Sequence, residues 1–535
     1  MGKKDWQVNK GELLPQRVGE WIADDVRVFL DFLVVFVEEI AQAHQLNATK
    51  ENDRGAPPYD RAMLLAIWLY GLHRGISTCR RLEEACRNQL DFMYLTGRQF
   101  PDHTTLWGFF AQNKDQVKSW FISLVRVLRR LNQVDGSELL VDGTTIRSAG
   151  SRKRILSEKK ARQKLERLEA EAAQRVDQMK EGAENDVEPP EDDNRSRLRD
   201  KIRQALDVDQ ERDEVTNGAV CATDPESRIL KLKEGFTAPG YNAQVGVDSK
   251  EGMVVSIEAT DDISDAHQLA RQYQRASEML GCAPGIVGAD SGYHTPTEIG
   301  ALHEKDVVVI CPPNAGAAKA EEGPFAPSRF RFDEDNNCYI CPVGSRLPYL
   351  RLDLRKNKKG KHSRPRIEYR CKDFLTCPSR RQCTSSAKAG RTISRLVHHR
   401  ARKKAIADTR GNRGKKILQK RNRVEHRIGE LKHRMGVRRI LFWGRENTSC
   451  FLTLAVMSAN LYRSMKLLVK LGDDPVKTLR QAIRAELRDG AGAKAGESKP
   501  QPAQDNLRWA QDILNHIANA LHLDWAVTKK ADHWA

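Results

Sequence analysis

The sequence predicts an α/β protein, a mixed sheet with a helical region ahead of it. Three observations carry that expectation. Residues 1–130 repeat apolar positions at helical spacing, punctuated by capping and turn residues. Residues 139–146 form a short β-branched apolar run behind the turn signal Asp135-Gly136, as a buried strand does. Residues 220–312 then read as strand, hairpin, helix, strand, helix, strand, the order of a mixed sheet.

Taken in order, residues 59–72 are helix-patterned, and His73-Arg74-Gly75-Ile76 ends them. Ser77 or Thr78 caps a helix carrying Arg80, Arg81 and Arg87, and Asp102 caps another after Pro101. Short helices with Arg on their turns suit a helix-turn-helix DNA reader; a plain bundle with solvated Arg is the alternative. Residues 152–215 are dense in charge and suggest an exposed helical arm, an acidic link near Glu191 and a second helix. In the sheet region, 241–247 alternates, Gly252 turns and 253–257 returns. Residues 265–280 are helix-patterned, while 286–289 and 307–310 are short strands. The stretch 313–390 is expected to be loop-rich. Residues 391–445 hold 19 Lys or Arg against three acids, with a helix over 418–435. An apolar helix over 451–468 should pack on the sheet, followed by a Gly/Pro/Lys linker over 491–505 and an amphipathic helix over 506–527.

The chain has 535 residues, 30% of them charged, and a net charge of +18, which points to a polyanionic partner, nucleic acid before a membrane surface. No stretch spans a bilayer: the longest apolar run, 26–37, is broken by Asp31. The start, Met1-Gly2-Lys3-Lys4-Asp5, has no signal-peptide character. Eleven cysteines, an odd number in a long chain, indicate a reducing, cytoplasmic setting rather than a disulfide scaffold.

Three acids stand out. Asp142 lies inside the 139–146 strand, where an unpaired carboxylate costs several kcal/mol, so it must face a cation, a donor or water. Asp290 ends a strand before the turn Ser291-Gly292-Tyr293-His294. Glu425 stands among cations in Arg421-Asn422-Arg423-Val424-Glu425-His426-Arg427. Carboxylates on neighbouring strands, with one from a covering helix, can hold two hard divalent ions about 4 Å apart. Structural ion pairs are the alternative. Arg421, Glu425 and Lys432 share a helical face, so cations flank the acid. Five cysteines, Cys338, Cys341, Cys371, Cys377 and Cys383, offer more than the four thiols a structural zinc needs.

The ordered set of motifs resembles the DDE transposases of bacterial insertion sequences, in the insertion-sequence-five-like branch, over roughly residues 15–465. Pro58-Tyr59-Asp60-Arg61, Gly75 to Glu83 and Pro101 to Leu106 form the first block. Val141-Asp142-Gly143-Thr144, Thr223 to Arg228, Gly240 to Gln244 and Ala289-Asp290-Ser291-Gly292-Tyr293 form the second. Arg423-Val424-Glu425 to Arg439, with Gly444-Arg445, forms the third. Arg421-x3-Glu425-x6-Lys432 matches part of a Tyr-Arg-Glu-Lys signature, with Leu418 where the Tyr would stand.

The resemblance implies an RNase H-like mixed-sheet catalytic core over 135–312 and 391–470, with 152–215 as a charged helical insertion. It also implies a helical N-terminal DNA-binding domain over 1–130 and a Cys-rich insertion over 313–390 before the last catalytic helix; 471–535 is linker and tail. Asp142, Asp290 and Glu425 become the catalytic acids and ligands of two Mg²⁺ or Mn²⁺ ions. Arg421, Arg423, Lys432, Arg80 and Arg81 become DNA contacts. The implied activity is DNA cleavage at transposon ends and strand transfer, by a homodimer or higher assembly on DNA. An RNase H-like nuclease without joining, or an inactive transposase-derived DNA-binding protein, are the rival readings.

Overall fold

The computed structural model describes residues 18–47, 58–182, 193–210, 218–232, 235–313, 323–353, 366–386 and 388–493. The amphipathic helix expected over 506–527, and Glu191 of the acidic link, lie outside them. The chain divides into two compact units: Met1–Ala315 with Arg400–Asp489, and Gly316–His399 with Gly490–Ala535.

The first unit opens with six helices, α1 (Asp24–Ala43), α2 (Arg61–His73), α3 (Cys79–Asn88), α4 (Leu90–Leu95), α5 (His103–Gln112) and α6 (Lys114–Arg130). Three of the six have side-chain N-caps, at the expected Thr78 and Asp102 and also at Asp60. The Asp60 carboxylate accepts from the Ala62 N–H (2.7 Å), the Thr78 hydroxyl from Arg81 (3.4 Å) and Asp102 from Thr105 (2.7 Å). The sheet strands are β1 (Glu138–Arg147), β4 (Arg228–Lys231), β5 (Thr237–Asp248), β6 (Val254–Thr260), β7 (Ile286–Gly288) and β8 (Val308–Ile310). Between β1 and β4 come β2 (Ile155–Ser157), the paired helices α7 (Glu158–Gly182) and α8 (Asp193–Gln210), and β3 (Ala219–Cys221). Helices α9 (Leu269–Leu280) and α10 (Pro296–His303) alternate with the later strands.

In the sheet, β5 pairs antiparallel with β1, β4 and β6, while β1–β7 and β7–β8 are parallel. This is the mixed sheet the sequence predicts, and its strand order is consistent with an RNase H-like core. Parallel neighbours joined through α9 and α10 bury both faces, so β7 and β8 are uninterrupted apolar runs.

The charged stretch 152–215 is not wholly solvated. Ala161 of α7 and Ile202, Ala205 and Leu206 of α8 close a small apolar core with Val220 of β3. The helix expected over 418–435 is two helices. Past α12 (His399–Arg410), α13 (Asn412–Lys420) ends at Arg421 and α14 (Asn422–His433) begins after it. Helix α15 (Arg445–Leu471) is longer than the sequence suggests; α16 (Pro475–Ala493) runs into the expected linker. One apolar core takes in Phe29, Trp68 and Leu128 from the N-terminal helices, Val141 and Val245 from the sheet, and Phe451 and Val456 from α15.

The second unit corrects the loop-rich expectation for 313–390. It holds a five-stranded antiparallel sheet of β9 (Arg331–Asp333), β10 (Cys338–Ile340), β11 (Arg346–Asp353), β12 (Arg366–Arg370) and β13 (Thr392–Leu396), with the single turn α11 (Arg380–Cys383). Its core is mostly aromatic: Phe325, Phe330, Tyr339 and Tyr369 around Leu347. The strands are short and interrupted by Arg346 and Arg351 in β11 and by Arg366, Glu368 and Arg370 in β12, so the usual apolar run that announces a strand is missing.

Candidate functional site

Strand register builds the site. The parallel ladder between β1 and β7 pairs Glu138 with Ile286, Leu139 with Val287 and Leu140 with Gly288, then stops. Continued two residues, the same register brings Asp142 level with Asp290. Side chains two apart point to one face of a strand. The two carboxyl-bearing residues therefore stand together where the strands stop pairing and the sheet opens.

Asp142 is half-buried, and one oxygen accepts from the Gly143 N–H (2.9 Å). Its pKa is pushed up to about 6, by burial first and then by the charges of Asp290 and Asp265, against the lowering pull of Arg421. Asp290 caps the short turn Ser291–Tyr293, accepting from Gly292 N–H at 2.8 Å. That turn fixes its carboxylate at the strand end.

Asp265, which sequence reasoning passed over, is the third acid of the pocket. Its Oδ1 accepts from Asn242 Nδ2 (2.8 Å) and Gln244 Nε2 (2.6 Å), both on β5. Gly143 is what admits it: a Cβ there would lie 2.4 Å from Asp265 Oδ1. A Cβ on Gly292 would meet both Asp290 Oδ1 (3.0 Å) and Asp265 Oδ2 (3.8 Å), so Asp265 stands near Asp290, and its charge raises Asp142. Behind it, the buried Tyr293 hydroxyl donates to Gln244 Oε1. Burial, then Asp265, Asp142 and Asp290, hold that phenol well above its ordinary range. The signal that could have found Asp265 is the pairing of Gly143 with Gln244, which no local pattern shows.

Glu425 is placed differently. It lies on α14, 56% exposed, and its carboxylate pairs with Arg421 (3.1 Å) one turn earlier. Arg421 links the two regions: its charge acts on Asp142 and on Cys311, whose sulfur donates to the Asp290 carbonyl (2.8 Å). The Arg421 Nε is buried without an acceptor among the described residues. A buried guanidinium N–H with no partner is costly and suits an anionic ligand. Lys432 donates to the Thr145 carbonyl of β1 (2.8 Å), tying α14 along that strand. Arg423 bonds the backbone carbonyls of Ser249 and Lys250, so it anchors the start of α14 to the β5–β6 turn. Arg80 and Arg81 are exposed on α3.

The neighbouring acids Asp224 and Asp248 are structural. Asp224 accepts from the Tyr241 hydroxyl (2.9 Å) and Asp248 from the Gly136 N–H (2.7 Å).

In the second unit, four of the five cysteines act on one another. Burial, then Cys341 and Cys377, push the Cys371 thiol up; burial, then Cys341, Cys377 and Cys371, do the same to Cys383. The Cys341 sulfur accepts the Ser345 backbone N–H (3.2 Å). Cys338 stands apart: it is buried on β10, and its thiol is raised by burial and Asp333. Among the described residues, no group of three or more His, Cys, Asp or Glu is set to hold a metal ion. The oxygen-only, anionic character of the Asp142–Asp290 pocket suits a hard divalent cation.

Two family models match the chain. A transposase DDE domain matches residues 340–465, which include Glu425, and a transposase domain matches residues 19–112. Asp142, Asp265 and Asp290 lie outside both stretches. No curated protein and no solved structure matches. No helix of the described residues is long and apolar enough to cross a membrane.

Proposed function

We propose, on the transposase-domain matches over residues 19–112 and 340–465, that the chain is a DDE transposase of insertion-sequence type that cleaves DNA at transposon ends and joins the freed 3′-OH to target DNA. The observation that carries this reading is that Asp142 and Asp290 each lie two residues past the last recorded pair of the parallel β1–β7 ladder, beside an arginine with a buried free N–H. Asp142 and Asp290 would hold Mg²⁺ or Mn²⁺. Such ions, when bound, neutralise the phosphodiester and activate the attacking oxygen. They would also relieve the like-charge crowding that holds Asp142 high.

The chain's own residues then have separable tasks. Arg421 takes a phosphate oxygen, which satisfies its orphan N–H. Glu425, held only by the exposed pair with Arg421 Nη2, would exchange that pair for a place in the acid set once DNA is in place. Asp265, held by Asn242 and Gln244, keeps negative potential behind the pair. Lys432 and Arg423 position α14 against the sheet. The N-terminal helices, with Arg80 and Arg81 exposed, serve as the end-binding domain over 1–130. The core spans 135–312 and, correcting the expected start at 391, the stretch from Arg400 to about 470, because β13 (Thr392–Leu396) belongs to the second unit's sheet; the protein works as a homodimer or higher assembly in the cytoplasm.

The test uses the full chain with duplexes bearing the DNA that flanks its coding region. Mg²⁺-dependent nicking at the end, followed by a joined product with a second duplex, is expected. Nicking without joining would make it a nuclease, and neither reaction would sink the reading. In the second unit, Cys341, Cys371, Cys377 and Cys383 would hold a structural zinc. One zinc per chain, lost in Cys371→Ser and kept in Cys338→Ser, is the expected metal content.

A further inference from the structure

A groove of about 1060 Å³ runs between α14 and α15, within the first unit. Five Lys or Arg side chains line it against Glu425 and Glu430. The α14 wall is only partly neutralised: the single Glu430 carboxylate is shared by Arg427 (2.5 Å) and Arg434 (3.6 Å). The α15 wall is not neutralised. Arg463, Lys466 and Lys470 stand at i, i+3 and i+7, which share one helical face. Arg463 donates to the Glu251 carbonyl (2.5 Å), and Lys466 and Lys470 make no ion pair with a carboxylate among the described residues. The row extends over about 10 Å of helix rise, long enough to face more than one phosphate of a DNA strand, whose charges rise about 3.4 Å apart along the duplex axis.

Three neighbouring groups register the positive field. Burial alone would raise the Tyr462 phenol, yet hydrogen bonds and charge from Lys466 and Arg434 bring it below its ordinary value. His73 is lowered to about 3 by burial, then Arg434, Arg74 and Lys466. Arg463 is lowered by burial and by Arg427. The groove also leads somewhere: Glu425 lines it, and Glu425 is bonded to Arg421, whose charge reaches Asp142.

We infer that this groove is the track of a DNA phosphate backbone, gripped by the Arg463, Lys466 and Lys470 row and led past Glu425 and Arg421 toward the acid pair. This rests on the transposase reading and adds where the DNA lies. A row of merely solvated cations on α15 is the rival, and it predicts no effect on binding.

The experiment compares the full chain with Lys466→Ala/Lys470→Ala, with Lys466→Arg/Lys470→Arg, and with Lys305→Ala, an exposed lysine on another part of the unit. Duplex affinity is measured across a salt series, alongside the thermal midpoint. Losing two phosphate contacts should flatten the slope of log K against log salt by roughly 1.8 and weaken binding on the order of 30-fold near physiological salt. The arginine pair should restore both, and Lys305→Ala and all midpoints should stay at the parent values. A parent-like slope in the double alanine variant, with parent binding intact, overturns the track and leaves the transposase reading standing. A parent that neither binds nor nicks duplex DNA overturns both.

Discussion

The open end of the sheet and the exposed face of α14 hold acids in opposite ways. Asp142 and Asp290 are fixed by backbone: a parallel register sets their level and a tight turn aims the second. Their crowding with Asp265 is imposed by the fold, and the rise of Asp142 to about 6 records its cost. Glu425 is held by one ion pair on a half-exposed surface, where such pairs are worth about 1 kcal/mol or less. A sheet can store an electrostatic strain that a bound cation or protonation relieves. A helix surface can lend a carboxylate that changes partner cheaply. The proposed division of labour, a built pair and a recruited third acid, follows from that difference.

The largest effect that sharpens the contrast is on chemistry. Asp142→Asn or Asp290→Asn should lower Mg²⁺-dependent end cleavage by roughly 10²–10³-fold or more, the scale of losing a preorganised electrostatic contact. Retained cleavage in either variant breaks the contrast at its stronger side.

Stability gives the next effect, read by denaturant midpoint in metal-free buffer. Asp142 has a folded pKa near 6, above its ordinary value, so the fold resists its ionisation. Native stability is therefore eroded as pH rises from about 4 to about 6 and stays reduced above that. Asp142→Asn should stabilise the protein above pH 6, by up to about 2–3 kcal/mol, and leave it unchanged below pH 4. Saturating Mg²⁺ should raise the parent's stability at neutral pH by a comparable amount, about 2.7 kcal/mol at a hundredfold excess over Kd. The Mg²⁺ increment should be absent in the variant.

Asp265→Asn should cost less, about 10–100-fold in cleavage or metal affinity, as for groups just behind metal ligands. If charge is its contribution, the same substitution should also bring the Asp142 titration down, followed by its carboxyl NMR signal. An unmoved titration would reduce Asp265 to a structural role.

Much of the built side was legible in the sequence because it is local. A β-branched apolar run announced β1 with Asp142 inside it, and a short apolar run before Asp-Ser-Gly-Tyr announced β7 and Asp290. Asp265 was not legible, because its place depends on amides of β5 meeting it across Gly143, a long-range coincidence of register. The break at Arg421 was hidden by continuous charge on both sides of it, where no Gly or Pro marks the change from α13 to α14. The second unit's strands were missed for a related reason: they are short, their exposed faces carry Arg346, Arg351 and Arg366, and only a few positions such as Leu347, Ile367 and Tyr369 are buried.

The most direct test pairs two readouts on the same three variants, Asp142→Asn, Asp290→Asn and Glu425→Gln. Cleavage of end-bearing duplex and Mg²⁺-induced stabilisation of the DNA-free protein are measured side by side. The account predicts that all three abolish cleavage and that only the two aspartate variants lose the stabilisation. Normal cleavage by Glu425→Gln, or full Mg²⁺ stabilisation in both aspartate variants, would contradict it.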